Sequence, residues 1–156
     1  MAGYSKINYD FNDLPKWITN LRDELDLSGV GVSFVRLPLG KGYTFLHKHK
    51  EQEEVYIVLD GKGVIYLDGN LSNISKGDII RVDPKVERAL AASNKCELVC
   101  LIVGALPAKG YPKNIKYRSL IDDGIPNWEK LPPWYEDNKK VIEINKKIRK
   151  ERGEGL

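Results

Sequence analysis

Histidine and cysteine are scarce in this 156-residue chain, with two of each. Cys96 and Cys100 stand four apart in an apolar run. On a strand such positions face the same way but lie too far apart along the chain to be bridged, so no disulfide is expected between them. No zinc-type cysteine spacing is present. No apolar run reaches the length of a membrane span, and the opening MAGYSKINYD lacks the apolar core of a secretory leader. A dominant charge is missing as well. The 25 basic and 22 acidic residues leave a net charge of +3 and are interleaved along the chain, unlike the clustered basic face of a nucleic-acid binder. These absences predict a reducing, cytoplasmic setting with neither nucleic acid nor membrane as partner.

What the chain does have is ordinary for a globular protein, with 42% hydrophobic and 30% charged residues. The length predicts a single domain, 1–156, that buries roughly two-thirds of its unfolded surface. Three stretches differ in pattern. In the first, 1–28, Leu14, Trp17, Ile18, Leu21 and Leu25 fall at helical spacing behind Asn12, Asp13 and Pro15, which predicts an amphipathic helix ended by Ser28-Gly29. In the second, 29–104, short strands are predicted at 31–37, 44–49, 55–59, 64–68, 79–82, 87–92 and 98–103. Turns are expected between them, among them Asp60-Gly61-Lys62-Gly63 and the hairpin signal Asp68-Gly69-Asn70. The third, 105–156, begins as an irregular extension broken by Pro107, Pro112, Pro126, Pro132 and Pro133 and anchored by Trp128, Trp134 and Tyr135. It closes on a helix over about 136–152, with Val141, Ile144 and Ile148 on one stripe. Many short strands with regular turns, and no βα alternation or internal repeat, predict an all-β sandwich or barrel.

The chemistry concentrates on one segment. His47 and His49 are two apart on a strand, so both imidazoles face one side. Glu54 opens the next strand, with Tyr56 on its own face and Glu53 on the other. Two imidazoles and a carboxylate on adjacent strands suit a divalent iron, manganese, nickel or zinc ion.

The stretch from Gly42 to Gly61, which contains His47-Lys48-His49, then Glu54, then Gly61, resembles the first motif of the cupin family. The stretch Gly77-Asp78-Ile79-Ile80-Arg81-Val82-Asp83-Pro84 resembles the second. The resemblance implies a cupin-type double-stranded β-helix (jelly-roll) barrel, here with an N-terminal helix and an irregular plus helical C-terminal extension. It implies metal ligands at His47, His49 and Glu54. The second motif departs from the family pattern where its own histidine ligand belongs, because that position is Arg88. Arginine has no lone pair to offer a metal. Cys100 is the one other donor placed to face inward.

Three readings of the cluster follow. The three ligands bind a divalent ion with open positions for water or substrate, Arg88 gripping an anionic group and Tyr56 orienting the substrate or acting as an acid. Alternatively, Arg88 pairs with Glu54 and makes the barrel a metal-free pocket for a small anionic or polar molecule. Finally, the cluster only satisfies itself by hydrogen bonding. Whether the pocket turns over a small-molecule substrate, by oxygenation, isomerisation or lyase chemistry, or only senses it stays open at this point. The family resemblance also implies a homodimer.

Overall fold

A computed structural model of the chain describes residues 3–105 and 123–154. Its elements run in the order β1 (Trp17–Asn20), α1 (Arg22–Leu25), β2 (Val30–Leu37), β3 (Leu46–His49), β4 (Glu53–Leu67), β5 (Asn70–Ser75), β6 (Ile79–Val82), β7 (Arg88–Ala92), β8 (Leu98–Ala105) and β9 (Gly124–Asn127). A 3-10 turn (Pro133–Tyr135) and α2 (Lys139–Glu151) complete the chain. The strands hydrogen-bond in the order β1-β2-β8-β4-β7-β3-β9, with β5 and β6 also on β4, and every pairing is antiparallel.

Alternation in the sequence drives this arrangement. Along β8, Leu98, Cys100, Ile102 and Gly104 are buried, whereas Val99, Leu101 and Val103 between them are only half-buried. The inward set packs with Val35 and Leu37 of β2, Tyr56 and Val58 of β4 and Leu90 of β7, forming the main core between the two halves of the sheet. Burying apolar side chains from facing strands is the dominant stabilising term of such a sandwich. Cys100 belongs to this core, fully buried, and burial pushes its thiol up to about 12. Both cysteines are free.

Three sequence-based expectations are corrected. The turn at Asp60-Gly61-Lys62-Gly63 is absent, because β4 runs straight through it with a register shift between Val58 and Asp60. Residues 53–61 pair with β8 and residues 62–67 with β5 and β7, so one strand serves both halves of the sheet. Gly61 sits at φ 81°, where a Cβ would collide with the Glu97 carbonyl, and this allows the bend. The residues that suggested a turn follow directly on a bulge at Leu59 and are themselves paired with β8 and β5. The strand β5, not foreseen, completes a hairpin whose two-residue turn Asp68-Gly69 has positive φ at both positions, as the Asp-Gly signal implies.

The N-terminal helix is the second correction. In its place β1 adds to the open edge of β2, with Trp17 opposite Arg36 and Asn20 opposite Ser33, and only the single turn α1 follows. Trp17 itself has φ 73°, outside any helix. Leu14 and Leu21 are buried against Phe34 as helical spacing suggested, but Trp17 and Ile18 are exposed at 47% and 50%. Ladder hydrogen bonds to an otherwise bare edge strand decide the segment over its helical periodicity.

The C-terminal helix starts at the Asn138 cap, whose side chain accepts from Lys140 N and Val141 N. Its buried positions are Val141 and Asn145; Ile144, expected on the inner stripe, is exposed at 45%. Asn145 Nδ2 donates to Thr44 O at 2.8 Å, which turns that face of the helix to the barrel. Trp134 Nε1 donates to Tyr43 O (3.0 Å), Gly42 N donates to the Tyr135 hydroxyl (3.2 Å), and the Trp128 ring packs tilted against Phe45 with centroids 5.2 Å apart. Pro107 and Pro112 lie outside the described residues.

Candidate functional site

The strand β3 pairs with β7 through His47 opposite Arg88 and with β9 along its length. Its alternation turns His47 and His49 into the barrel, ring centroids 5.4 Å apart and nearly perpendicular. The next strand, β4, brings Glu54 and Tyr56 to the same interior. One ligand atom from each of His47, His49 and Glu54 lies within 4.8 Å of the other two, so the three side chains converge as the sequence predicts. Glu53 faces outward, where it pairs with the exposed Arg81.

Each member is held in a defined state. His49 Nδ1 lies 2.6 Å from Asp123 Oδ1, and Asp123 Oδ2 accepts the backbone N–H groups of Glu51 (2.6 Å) and Gln52 (3.1 Å). Burial would raise the Asp123 carboxyl, but those N–H groups and His49 hold it below the usual carboxylate range. An ionised Asp123 draws the proton of His49 to Nδ1 and leaves Nε2 facing Glu54 Oε1 at 3.3 Å. A lone pair facing a carboxylate oxygen at that distance is favourable only with positive charge on or between them, supplied by a second proton or by a metal ion. The carboxylate–histidine arrangement is one that orients metal-bound imidazoles. His47 Nδ1 is buried without a hydrogen-bond partner among the described residues. Burial, helped by Arg88 and His49 against the pull of Glu54, pushes His47 down to about 3, so it stays neutral. Neutral imidazole is the form that coordinates a cation. The donor set therefore fits a divalent ion.

Glu54 is the most heavily bonded group. Its Oε2 accepts from the Tyr56 hydroxyl (2.6 Å) and from Arg88 Nη2 (2.9 Å) and Nε (3.2 Å), while Oε1 accepts from Gln52 Nε2 at 3.0 Å. Burial would raise its pKa, but the histidines and Arg88 outweigh that and hold it well below the ordinary value. Burial and the Glu54 charge push Tyr56 above the ordinary phenol range, so it remains a donor. Arg88, completely buried, also donates through Nη1 to Pro84 O (2.9 Å) and Val86 O (2.8 Å). The position where the family motif has its last ligand thus carries a fixed positive charge directed at the outer oxygen of Glu54. Oε1, the oxygen nearer His49, keeps a second lone pair toward the histidines. Cys100 is not part of this group.

Sequence reasoning missed Gln52 and Asp123. Gln52 had a usable signal, since it lies two before Glu54 and so shares its strand face; a Cβ at Gly104 would come within 2.6 Å of its side chain. Asp123 reaches the site from 69 residues beyond Glu54, and no spacing rule links the two.

A cavity of about 430 Å³ opens above the cluster. His47, Gln52, Glu54 and Tyr56 contribute to its lining, and Tyr43, Phe45, Leu37 and Ile102 make its walls apolar. Residues of both terminal segments also line it, Trp17, Ile18 and Arg22 from the first and Gly124, Pro126, Ile148 and Arg152 from the last. The volume falls within the range of small-molecule sites, and the composition, apolar walls with few convergent polar groups, is typical of them.

Residues 33–104 match the family model described as the cupin domain. The crystal structure of a cupin protein from Bacteroides fragilis is similar at 31% identity, covering 74% of this chain and 98% of that one, with a TM-score of 0.64. A predicted oxalate decarboxylase from Thermotoga maritima is similar at 25% identity over 58% of this chain and 79% of that one, with a TM-score of 0.51. An uncharacterized protein of Methanocaldococcus jannaschii is 43% identical over 49 residues, which is 31% of this chain and only 38% of that relative's length.

Proposed function

The chain belongs to the cupin family, and from that premise we propose that it binds a small polar or anionic molecule beside a divalent metal ion in the barrel. His47, His49 and Glu54 would hold the ion, of the iron, manganese, nickel or zinc class. Bound there, it would supply Lewis acidity at the cavity floor. The observation that carries this reading is His49, clamped between Asp123 and Glu54 so that a positive charge belongs at Nε2, beside a neutral His47. Tyr56 and Arg88 act on Glu54: their donors fix its rotamer and keep it ionised. The reading extends to a homodimer in the cytoplasm. Among the described residues no helix is long and apolar enough to cross a membrane. An oxygenase, isomerase or lyase reaction is compatible with this arrangement.

Elemental analysis of untagged protein tests the proposal. Near-stoichiometric metal that is lost in His47→Ala supports it, and absence of metal after reconstitution with each of the four ions removes it. One observation favours a second reading, a metal-free binding or sensing barrel. Glu54 already receives four donor contacts, and Arg88 places a unit charge beside the site. Repulsion between unit charges at 4 Å is about 4 kcal/mol at an effective dielectric of 20. The same metal analysis separates the two.

A further inference from the structure

The cavity beside the cluster keeps apolar surface open to a ligand. The rings of Tyr43 and Phe45 flank His47, their centroids 6.0 and 6.2 Å from that of the imidazole, and both side chains are only half-buried. Ile18, exposed at 50%, and Ile148, half-buried on α2, line the same space. Several polar side chains that share the lining are already engaged by the protein itself. Glu54 accepts from Tyr56, Gln52 and Arg88, Asn20 Oδ1 accepts from Arg22 N (2.9 Å), and Arg152 donates to Glu154 and to Gly124 O. His47 differs from these, because its Nδ1 is buried without a hydrogen-bond partner among the described residues. The walls left for a ligand are therefore mainly apolar, with His47 and Glu54 of the cluster set into them.

We propose that the ligand is an apolar-bodied molecule with a single polar end, not a sugar or a short dicarboxylate. A body of ring size or larger would lie against Tyr43, Phe45, Ile18 and Ile148, and the polar end would meet the ion-binding group at His47 and Glu54. About 430 Å³ leaves room for such a body. Covering open apolar wall is favourable in proportion to the area removed from water, and aromatic rings add edge-to-face contacts. Hydroxyls or a second charged group placed against the same wall would give up water without gaining a partner. The inference rests on reading the cavity as the ligand pocket, and it narrows that reading: the polar or anionic group is one end of the ligand and not the whole of it.

Three probes with one chelating head and different bodies test this on Co²⁺-loaded protein: acetohydroxamate, threonohydroxamate and benzohydroxamate, followed by the visible spectrum of the ion. Benzohydroxamate is expected to bind roughly tenfold more tightly than either of the others. Ile148→Trp, which fills the cavity, is expected to remove that advantage while leaving Co²⁺ and acetohydroxamate binding unchanged. Ile18→Ser, at a position exposed enough to spare the fold, is expected to reduce it and decides the matter if Ile148→Trp melts early. A phenyl body bound no better than methyl, a polyhydroxyl body bound as well as phenyl, or variants that keep the full advantage would each overturn the proposal. The metal-free protein is titrated in parallel with benzamide and acetamide, read from the indole resonance of Trp17, which lines the cavity. A preference for benzamide without Co²⁺ binding rejects the metal alone, whereas Co²⁺ binding without any preference of body rejects the apolar-bodied ligand alone.

Discussion

At the scale of single residues, the site is governed by one buried charge pair. Arg88 and Glu54 are both removed from water, and each is paid back by the other and by donors and acceptors around them. Removing one partner leaves an uncompensated interior charge. Arg88→Met is therefore expected to cost about 3–5 kcal/mol in urea unfolding, and the double variant Arg88→Met with Glu54→Leu to recover most of it. A single variant as stable as the wild type would mean that Glu54 is not ionised in the folded protein. Cys100 makes a second case. With its thiol raised to about 12 by burial in the core, it should resist iodoacetamide at pH 8 in the native state and react only on unfolding. Mass spectrometry of the alkylated protein reads this out.

At the scale of elements, register places the chemistry. Glu54 stands opposite Gly104 on β8, and the missing side chain there is what admits Gln52 against Glu54 Oε1. Gly104→Ala is expected to lose about 1–3 kcal/mol through overpacking, with weaker metal binding because Glu54 loses its Gln52 contact. A calorimetric melt and a metal titration check the two halves of that statement. The same scale shows what was legible in the sequence. The alternation of β3, β4 and β8 is local and strong, so His47, His49, Glu54 and Tyr56 were correctly placed on inward faces from residue order alone. The stretches that misled were those whose conformation is decided by a distant partner. Leu14, Trp17, Ile18 and Leu21 fit a helix until the edge of β2 is available. Gly61 and Gly63 look like a turn until β7 and β8 are seen to need close approach on either side. Ile144 and Asn145 exchange inner and outer roles on α2 because Thr44 O offers the asparagine a partner. Asp123 was invisible for the same reason, as a carboxylate whose meaning comes only from the imidazole it meets.

At the scale of the whole molecule, the family match covers the central strands, while the two termini finish the cavity. β1 and α1 extend one half of the sheet, and β9 with α2 closes over the other. The centre thus fixes which groups converge, and the ends add to the walls of the cavity around them. His47, His49 and Glu54 lie in the central strands, whereas Trp17, Ile18, Ile148 and Arg152 bring the terminal segments to the lining of the same cavity.

The long strand β4 has a further consequence. It pairs with β5, β6, β7 and β8, so both halves of the sheet depend on the same fifteen residues. Because the two halves are joined through one continuous strand, loss of either exposes part of β4, which couples them and favours unfolding as one cooperative event. Amide deuterium exchange should therefore find the β4 protons among the slowest in the chain, released together and with the free energy of global unfolding, while β1 and the start of α2 exchange sooner. Partial release of β4 alone would contradict that coupling. The strand that carries Glu54 would then be the one that opens last, keeping the His47, His49 and Glu54 cluster assembled through local fluctuations of the segments around it.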